Sequence, residues 1–334
     1  MIPAILLIAL VTAGDTHSTY RIEPEGHGPG RDLVIVDWKT DTGAQAGQVQ
    51  VPVTGAGRTG PVSVQLRSME VEPNLHEWDT REWQWWKDCP FDPGQMRPRE
   101  ASTTTGGADT GPGGVRVWSR FLCDGVETTQ EWFFADLPRA DHAVYDCVTT
   151  VRNLRDERLE EYGQFFASYT RLNGTESAPE KAFGHVYVDE EGQLVNYRDV
   201  GSVHLEHYVT ERGSMFDRLG HVPHCPRGGG KVQDYWRYPV SISLASPRGY
   251  RHVVMTERGR AAAIAQGMHG IAQDYLIYPR GAILEADGRF SVHIRHLLVP
   301  APEKGLLQQV DRWWSDFERD HARVHGLSRP VPVE

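Results

Sequence analysis

Short runs rich in Val, Ile, Thr, Tyr, Phe and Trp recur along almost the whole of this chain, each ended by Gly, Asp, Asn or Pro. One such run cannot bury its own apolar face, so a succession of them specifies strands packed into a sandwich or barrel. The expected strands are Leu33 to Trp38, Gln48 to Val53, Val62 to Met69, Val115 to Cys123, Val126 to Phe134, Ala143 to Val151 and Gln164 to Thr170. They continue through His185 to Val188, Gln193 to Tyr197, Val203 to Val209, Tyr235 to Leu244, His252 to Thr256, Asp274 to Tyr278, Ala282 to Glu285 and Phe290 to Val299. Asp124-Gly125 and Asp287-Gly288 are two-residue hairpin turns by composition. In Phe290-Ser291-Val292-His293-Ile294-Arg295 apolar and polar residues alternate, so His293 and Arg295 share a face; they join the polar groups that could carry chemistry or are no more than an exposed face.

One helix interrupts this pattern. Between Glu303 and His325 the residues Leu306, Leu307, Val310, Trp313, Trp314 and Phe317 recur at helical spacing, with Pro302 ahead and Gly326 at the end. Arg258 to Gln266 reads as either a short helix or a strand. Cys89 to Gly114 and Glu211 to Lys231, dense in Gly and Pro, read as long binding or lid loops. The fold class is therefore all-β: a large antiparallel β-sandwich, supersandwich-like, with a C-terminal helix, forming a single domain over residues 20–334.

The apolar run Ile2 to Val11 is far short of the roughly 20 residues a membrane helix needs. Val11-Thr12-Ala13 follows it with small residues at signal-peptidase spacing. Residues 1–13 thus read as a signal peptide, which places the mature protein in the secreted or periplasmic space. Cys89 and Cys225 lie where a disulfide would staple two loops, although four cysteines leave the connectivity open. A net charge of −10 opposes a polyanion-wrapping surface, so nucleic acid is not an expected partner.

Four groupings carry chemical potential. Trp78, Trp83, Trp85 and Trp86 stand among Glu77, Asp79, Arg81 and Glu82. Indole faces cover the CH-rich faces of sugars while carboxylates accept hydroxyl hydrogen bonds, and packing along one strand face explains the same tryptophans. His204, Glu206 and Tyr208 alternate along one strand, where they can share a proton-transfer task or, with a third ligand such as His185 or His224, hold a divalent metal. The loop His221 to Lys231 adds His224, Arg227 and Lys231, cations suited to a uronate carboxylate. His269 between two glycines and the nearby Asp274 form the fourth grouping. Each also has a plain reading as a solvated face or tight turn. Nucleophile-elbow, zincin and dinucleotide-loop signatures are missing from the sequence.

The segment Val144-Tyr145-Asp146-Cys147-Val148-Thr149-Thr150-Val151-Arg152-Asn153, with its charged turn to Leu159, resembles the galactose-mutarotase-like β-supersandwich proteins over about 30 residues, where a "T-V-x-N" strand end leads through such a turn to another strand. The resemblance implies a sugar bound across a concave sheet. Mutarotases carry a catalytic His-Pro-Tyr-Phe at the place where this chain has Gln164-Phe165-Phe166, and an amide cannot shuttle a proton as imidazole does. Simple aldose epimerisation is therefore not expected, and Gln164 becomes a substrate-binding candidate. The expected function is a carbohydrate-active enzyme, a lyase or a glycoside-cleaving enzyme, with catalytic candidates His185, His204, Glu206, Tyr208, His224 and Asp274. Sugar binding is assigned to Trp78, Trp83, Trp85, Trp86, Gln164, Arg227, Lys231 and His269. No cofactor is required by the sequence, and a divalent metal remains an option. The alternative is a non-catalytic carbohydrate-binding or surface-interaction protein.

Overall fold

The computed structural model describes residues 16–24, 32–43, 45–52, 58–59, 62–66, 74–77, 80–85, 103–111, 113–136, 142–172, 185–196, 207–222, 230–245, 249–265, 272–301 and 304–328. The chain opens with β1 (Thr16–Pro24), β2 (Asp32–Thr40), β3 (Gln45–Pro52), β4 (Arg58–Thr59), β5 (Val62–Leu66), β6 (Asn74–Glu77) and β7 (Thr80–Trp85). Then come β8 (Thr103–Gly111), β9 (Gly114–Cys123), β10 (Val126–Ala135), β11 (Ala143–Asn153), β12 (Gly163–Leu172), β13 (His185–Val188) and β14 (Leu194–Asn196). The last third holds β15 (His207–Thr210), α1 (Met215–Leu219), β16 (His221–Val222), β17 (Gly230–Tyr235), β18 (Val240–Ser243), β19 (Tyr250–Thr256), β20 (Ala261–Ala265), β21 (Ala272–Ile277), β22 (Arg289–Pro300) and α2 (Leu306–Leu327).

These strands form two sheets. The 13-stranded sheet runs β1-β2-β3-β5-β6-β12-β21-β20-β15-β17-β16, with β7 also paired to β12 and β4 to β7. The 9-stranded sheet runs β14-β13-β18-β19-β22-β11-β10-β9-β8. Pairing is antiparallel throughout except for β15 with β17, which run parallel. Period-two alternation explains how both sheets find a core. Phe290, Val292, Ile294 and Leu298 of β22 join the layer between the sheets, while Leu297 and Val299 face the helix. That central layer also takes Val34, Val36, Trp38, Val209 and Ile277 from the larger sheet and Val117, Phe134, Tyr145 and Cys147 from the smaller one. Full burial of one such aliphatic or aromatic side chain contributes roughly 1.5–3 kcal/mol over leaving it exposed, which makes this layer the main stabilising element.

Helix α2 covers the outer face of the smaller sheet. Val310, Trp314, Phe317 and Val324 are its buried residues, and their three- and four-residue steps make one stripe. His321 falls on that same stripe. The first half of the stripe meets apolar Val240, Val253, Met255 and Leu297. The second half meets ionisable groups.

The turn expected from Asp124-Gly125 is present, with both residues at positive φ (50° and 76°) as a type I′ turn requires. Asn153, last residue of the "T-V-x-N" phrase, is fully buried. Its amide nitrogen donates to the carbonyls of Glu157 (2.8 Å) and Glu285 (3.0 Å), and its Oδ1 accepts from the Arg155 backbone N–H (3.0 Å). The phrase is thus a turn-locking device, because an asparagine here satisfies backbone groups that no apolar residue could.

Several expectations are corrected. The stretch read as the loop Cys89 to Gly114 contains edge strand β8, and the loop Glu211 to Lys231 contains α1, β16 and the start of β17. Ala282 to Glu285 is not a strand: Arg280–Ala282 is a short 3-10 turn, and Leu284 makes a single bridge to Leu159. Within the ambiguous Arg258 to Gln266 stretch, Ala261–Ala265 is strand β20, paired on both sides. The run Tyr235 to Leu244 is broken between β17 and β18 at Trp236–Pro239. Helix α2 starts at Leu306, just after Gly305 in a left-handed conformation, and passes through Gly326.

Candidate functional site

Strand register determines which distant residues can meet. In the larger sheet Arg58 pairs with Arg81, Arg81 with Ala167, Ala167 with Asp274, Asp274 with Ile264, and Ile264 with Tyr208. Directly opposed residues in antiparallel strands share a face, so these positions form one row across β4, β7, β12, β21, β20 and β15. Trp83 and Trp85 pair with Phe165 and Gly163, in phase with that row. Two arginine positions at one end, a carboxylate position near the middle, a tyrosine at the other end and two tryptophan positions alongside therefore occupy one sheet face. From Arg81 to Tyr208 the row crosses four strand spacings of about 4.8 Å each, roughly 19 Å, long enough for an extended ligand.

Which face this is follows from Gln164. It is one residue out of phase with Trp83 and Trp85, is 1% exposed, and donates from Nε2 to Thr128 Oγ1 of the smaller sheet at 3.1 Å. Gln164 therefore lies between the sheets, and the row lies on the outer face. Here the structure separates two predicted sets: Trp83, Trp85, Asp274 and Tyr208 share the outer face, and Gln164 does not join them. Tyr208 is itself 1% exposed. The nearby Thr210 is bonded to Ser214 just before α1 (3.0 Å), and Phe216 of α1 packs on Tyr278 just beyond β21 at 4.5 Å, so the segment after β15 folds back against this part of the sheet. Lys231 is exposed on β17, paired with His221. His185 starts β13 in the other sheet. Trp78, Trp86, His204, Glu206, His224, Arg227 and His269 lie outside the described residues, as do Cys89, Cys225 and residues 1–13.

Of the two readings of His293 and Arg295, the exposed face is excluded. They are 0% and 4% exposed, covered by α2. Asp146, opposite Arg295 on β11, accepts from Arg295 Nε (2.7 Å) and Nη2 (3.1 Å) and lies 2.6 Å from His293 Nε2. Burial pushes the Asp146 carboxyl upward, but the His293 hydrogen bond and the Arg295 charge outweigh it and hold it at about 2. Arg295 also reaches Asp320 of α2 at 3.1 Å. Glu257, just beyond β19, accepts at Oε1 from the His293 backbone N–H (2.6 Å) and lies 2.9 Å from His325 Nε2. This polar half of the helix contact was missed because its members are far apart in sequence. The spacing of His321 and His325, one turn apart, was its one local sign.

In the space between the sheets a second imidazole pair stands out. His252 Nε2 lies 3.1 Å from His296 Nδ1, and the His296 ring stacks on Tyr145 at 4.7 Å. Both histidines are fully buried, so they meet no ligand from solvent in this arrangement.

The fold defines a large β-sandwich protein in which backbone register puts the positions of Arg58, Arg81, Asp274 and Tyr208 in one row across the larger sheet. No protein-family model matches the sequence, and no curated protein matches it. Among solved structures the chain resembles a galactose mutarotase-like protein from Clostridium acetobutylicum, at 9% identity over 86% of this chain and 99% of that one, with a TM-score of 0.44. It also resembles the Slr1438 protein of Synechocystis sp. PCC 6803, at 11% identity over 76% of this chain and 92% of that one, TM-score 0.43. A third likeness is to the alpha-N-acetylgalactosaminidase NagBb of Bifidobacterium bifidum, at 13% identity over 86% of this chain but 38% of that one, TM-score 0.41.

Proposed function

We propose that this protein is carbohydrate-active and takes an acidic poly- or oligosaccharide along the outer face of the 13-stranded sheet. The observation that supports this reading is the register row: Arg58 and Arg81, then Asp274, then Tyr208, with Trp83 and Trp85 in phase beside it. Tryptophan positions suit sugar faces, and paired arginine positions suit a uronate carboxylate.

The chemistry this set fits is elimination. Asp274, two strands from Arg81 in the row, acts as the base and takes the proton α to the uronate carboxylate, while Arg81 neutralises the charge that develops on that carboxylate. The electrons of the broken carbon–hydrogen bond form the carbon–carbon double bond of the unsaturated product as the carbon–oxygen bond to the neighbouring sugar breaks, and the leaving oxygen takes a proton from the protonated base or from water. We further propose that the protein acts after export, on the strength of the leader read in residues 1–13.

The test is a panel of polysaccharides with and without chelator, followed for both unsaturated products and new reducing ends. Unsaturated uronate absorbance is the expected result, falling at least about a hundredfold in Arg81→Ala and Asp274→Asn. New reducing ends without that absorbance would move the reading to glycoside hydrolysis. Binding that is lost in Trp83→Ala, with no turnover on any substrate, would make the protein a binding module.

A further inference from the structure

We propose that Glu257, His321 and His325 form a site for a divalent transition-metal ion of the zinc class, clamping the C-terminal helix to the outer face of the nine-stranded sheet. The ligand atoms of these three residues all lie within 4.8 Å of one another. Glu257 Oε1 is 2.9 Å from His325 Nε2 and 4.0 Å from His321 Nδ1. Nitrogen and oxygen ligands about 2.0–2.1 Å from a tetrahedral zinc stand roughly 3.3 Å apart, so the two separations bracket the required value. The His321 and His325 ligand atoms lie within 4.8 Å of each other, and binding requires the side chains to rotate so that all three reach one ion.

Three further features separate this set from an ordinary ion pair. His321 and His325 are one helical turn apart, the spacing that presents two imidazoles on one helix face. The Glu257 carboxylate is already oriented from the sheet by the His293 backbone N–H at 2.6 Å, as metal-bound carboxylates are by their surroundings. A third imidazole adjoins the group: His293 Nδ1 lies 3.4 Å from His321 Nδ1, while its Nε2 is held by Asp146 at 2.6 Å. That is the carboxylate–histidine arrangement that raises the basicity of an imidazole facing a metal, and it places another nitrogen donor next to the site. One carboxylate pairing with a single imidazole would need none of this surplus nitrogen.

Access is available. The side chains of Glu257, His321 and His325 are 16%, 34% and 28% exposed, so an ion enters from solvent at the helix edge. Three protein ligands leave at least one coordination position for water. The site lies across the whole sandwich from the row of Arg81, Asp274 and Tyr208, because each occupies the outer face of a different sheet. Its role is therefore to fasten α2, and it is independent of the proposed sugar chemistry.

The test uses the full chain, stripped with chelator and titrated with zinc by calorimetry and with cobalt by visible absorption. One equivalent is expected to bind with cobalt ligand-field bands in the visible, and zinc is expected to raise the unfolding temperature. Glu257→Gln, His321→Ala and His325→Ala should each weaken binding at least about tenfold and abolish the zinc-dependent thermal shift. His17→Ala, an exposed histidine bonded to Asp41, should change neither. Circular dichroism of each metal-free variant establishes that it is folded. Folded wild type that binds no cobalt, or binding unchanged in all three variants, would overturn the proposal.

Discussion

The Asp146→Asn substitution tests whether the polar contact under α2 is a net stabilising element. Asp146 is 5% exposed and holds His293 and Arg295 through three contacts of 2.6–3.1 Å. Its carboxyl is held at about 2 against an ordinary 3.8, a difference that corresponds to roughly 2–3 kcal/mol at about 1.4 kcal/mol per unit. The folded value lies below the unfolded one, so this stabilisation is fully present above about pH 4–5 and is lost as pH falls through about 2. Asparagine preserves the shape but removes the charge. Arg295, 4% exposed, then keeps only Asp320 as a carboxylate partner among the described residues. Removing one partner of a buried pair costs about 3–5 kcal/mol, and the remaining Asp320 contact moderates that. The variant should therefore unfold about 2–4 kcal/mol more easily near neutral pH, with a flatter loss of stability between about pH 4 and pH 2. Urea unfolding followed by tryptophan fluorescence near pH 7, 5 and 3, in chelator, measures both effects. A variant within about 0.5 kcal/mol of the parent near pH 7, with the same acid slope, would refute the reasoning.

Other perturbations follow from single contacts. Trp314, 3% exposed, stacks on Tyr238 at 5.4 Å and packs on Phe317 at 5.2 Å; Trp314→Ala should cost about 3–5 kcal/mol in chemical unfolding, and a loss under about 1 kcal/mol would mean that α2 is not firmly docked. Gly114, at φ 141°, has no room for a methyl group, since a Cβ would sit 2.0 Å from the Phe134 carbonyl oxygen, whereas Gly113 at φ 85° meets nothing within 4 Å. Gly114→Ala should therefore disrupt the β9–β10 pairing and lower the melting temperature far more than Gly113→Ala, which carries only the backbone penalty of about 1–2 kcal/mol. Trp38→Phe removes the bond from Nε1 to the Ala135 carbonyl at 2.8 Å and should cost about 1–3 kcal/mol, read from the urea midpoint.

Much of the architecture was legible locally. His185–Val188 was delimited correctly by its β-branched run, and Asp124-Gly125 announced its own turn, because two positive-φ residues in sequence admit few alternatives. Strand β8, Thr-Thr-Thr-Gly-Gly-Ala-Asp-Thr-Gly, was taken for a loop because glycines weaken a strand signal. The structure supplies their reason: a Cβ on Gly107 would stand 3.0 Å from the Trp118 ring, so the glycine leaves room for the indole of the next strand. That requirement belongs to the neighbour and cannot be seen in the strand itself. The burial of His293 and Arg295 has a related cause. Their alternation along β22 correctly assigned them a common face, but only α2, with Asp146 and Asp320 as partners, made that face an interior.

The candidate sites divide in the same manner. The sequence by itself determined residue chemistry and local periodicity where the pattern is strong: that Val126 to Phe134 and Ala143 to Val151 are strands, which of their positions alternate, and that a helix covers most of residues 303–325, though not that 103–111 is a strand or that 282–285 is not. These depend on backbone periodicity, which acts over a few residues. Only the tertiary structure decided that Arg81, Asp274 and Tyr208 fall in one row, that Gln164 does not join them, and that Glu257 meets the helix histidines. Those are consequences of strand order and register between segments up to some two hundred residues apart, fixed by the burial of both sheets at once.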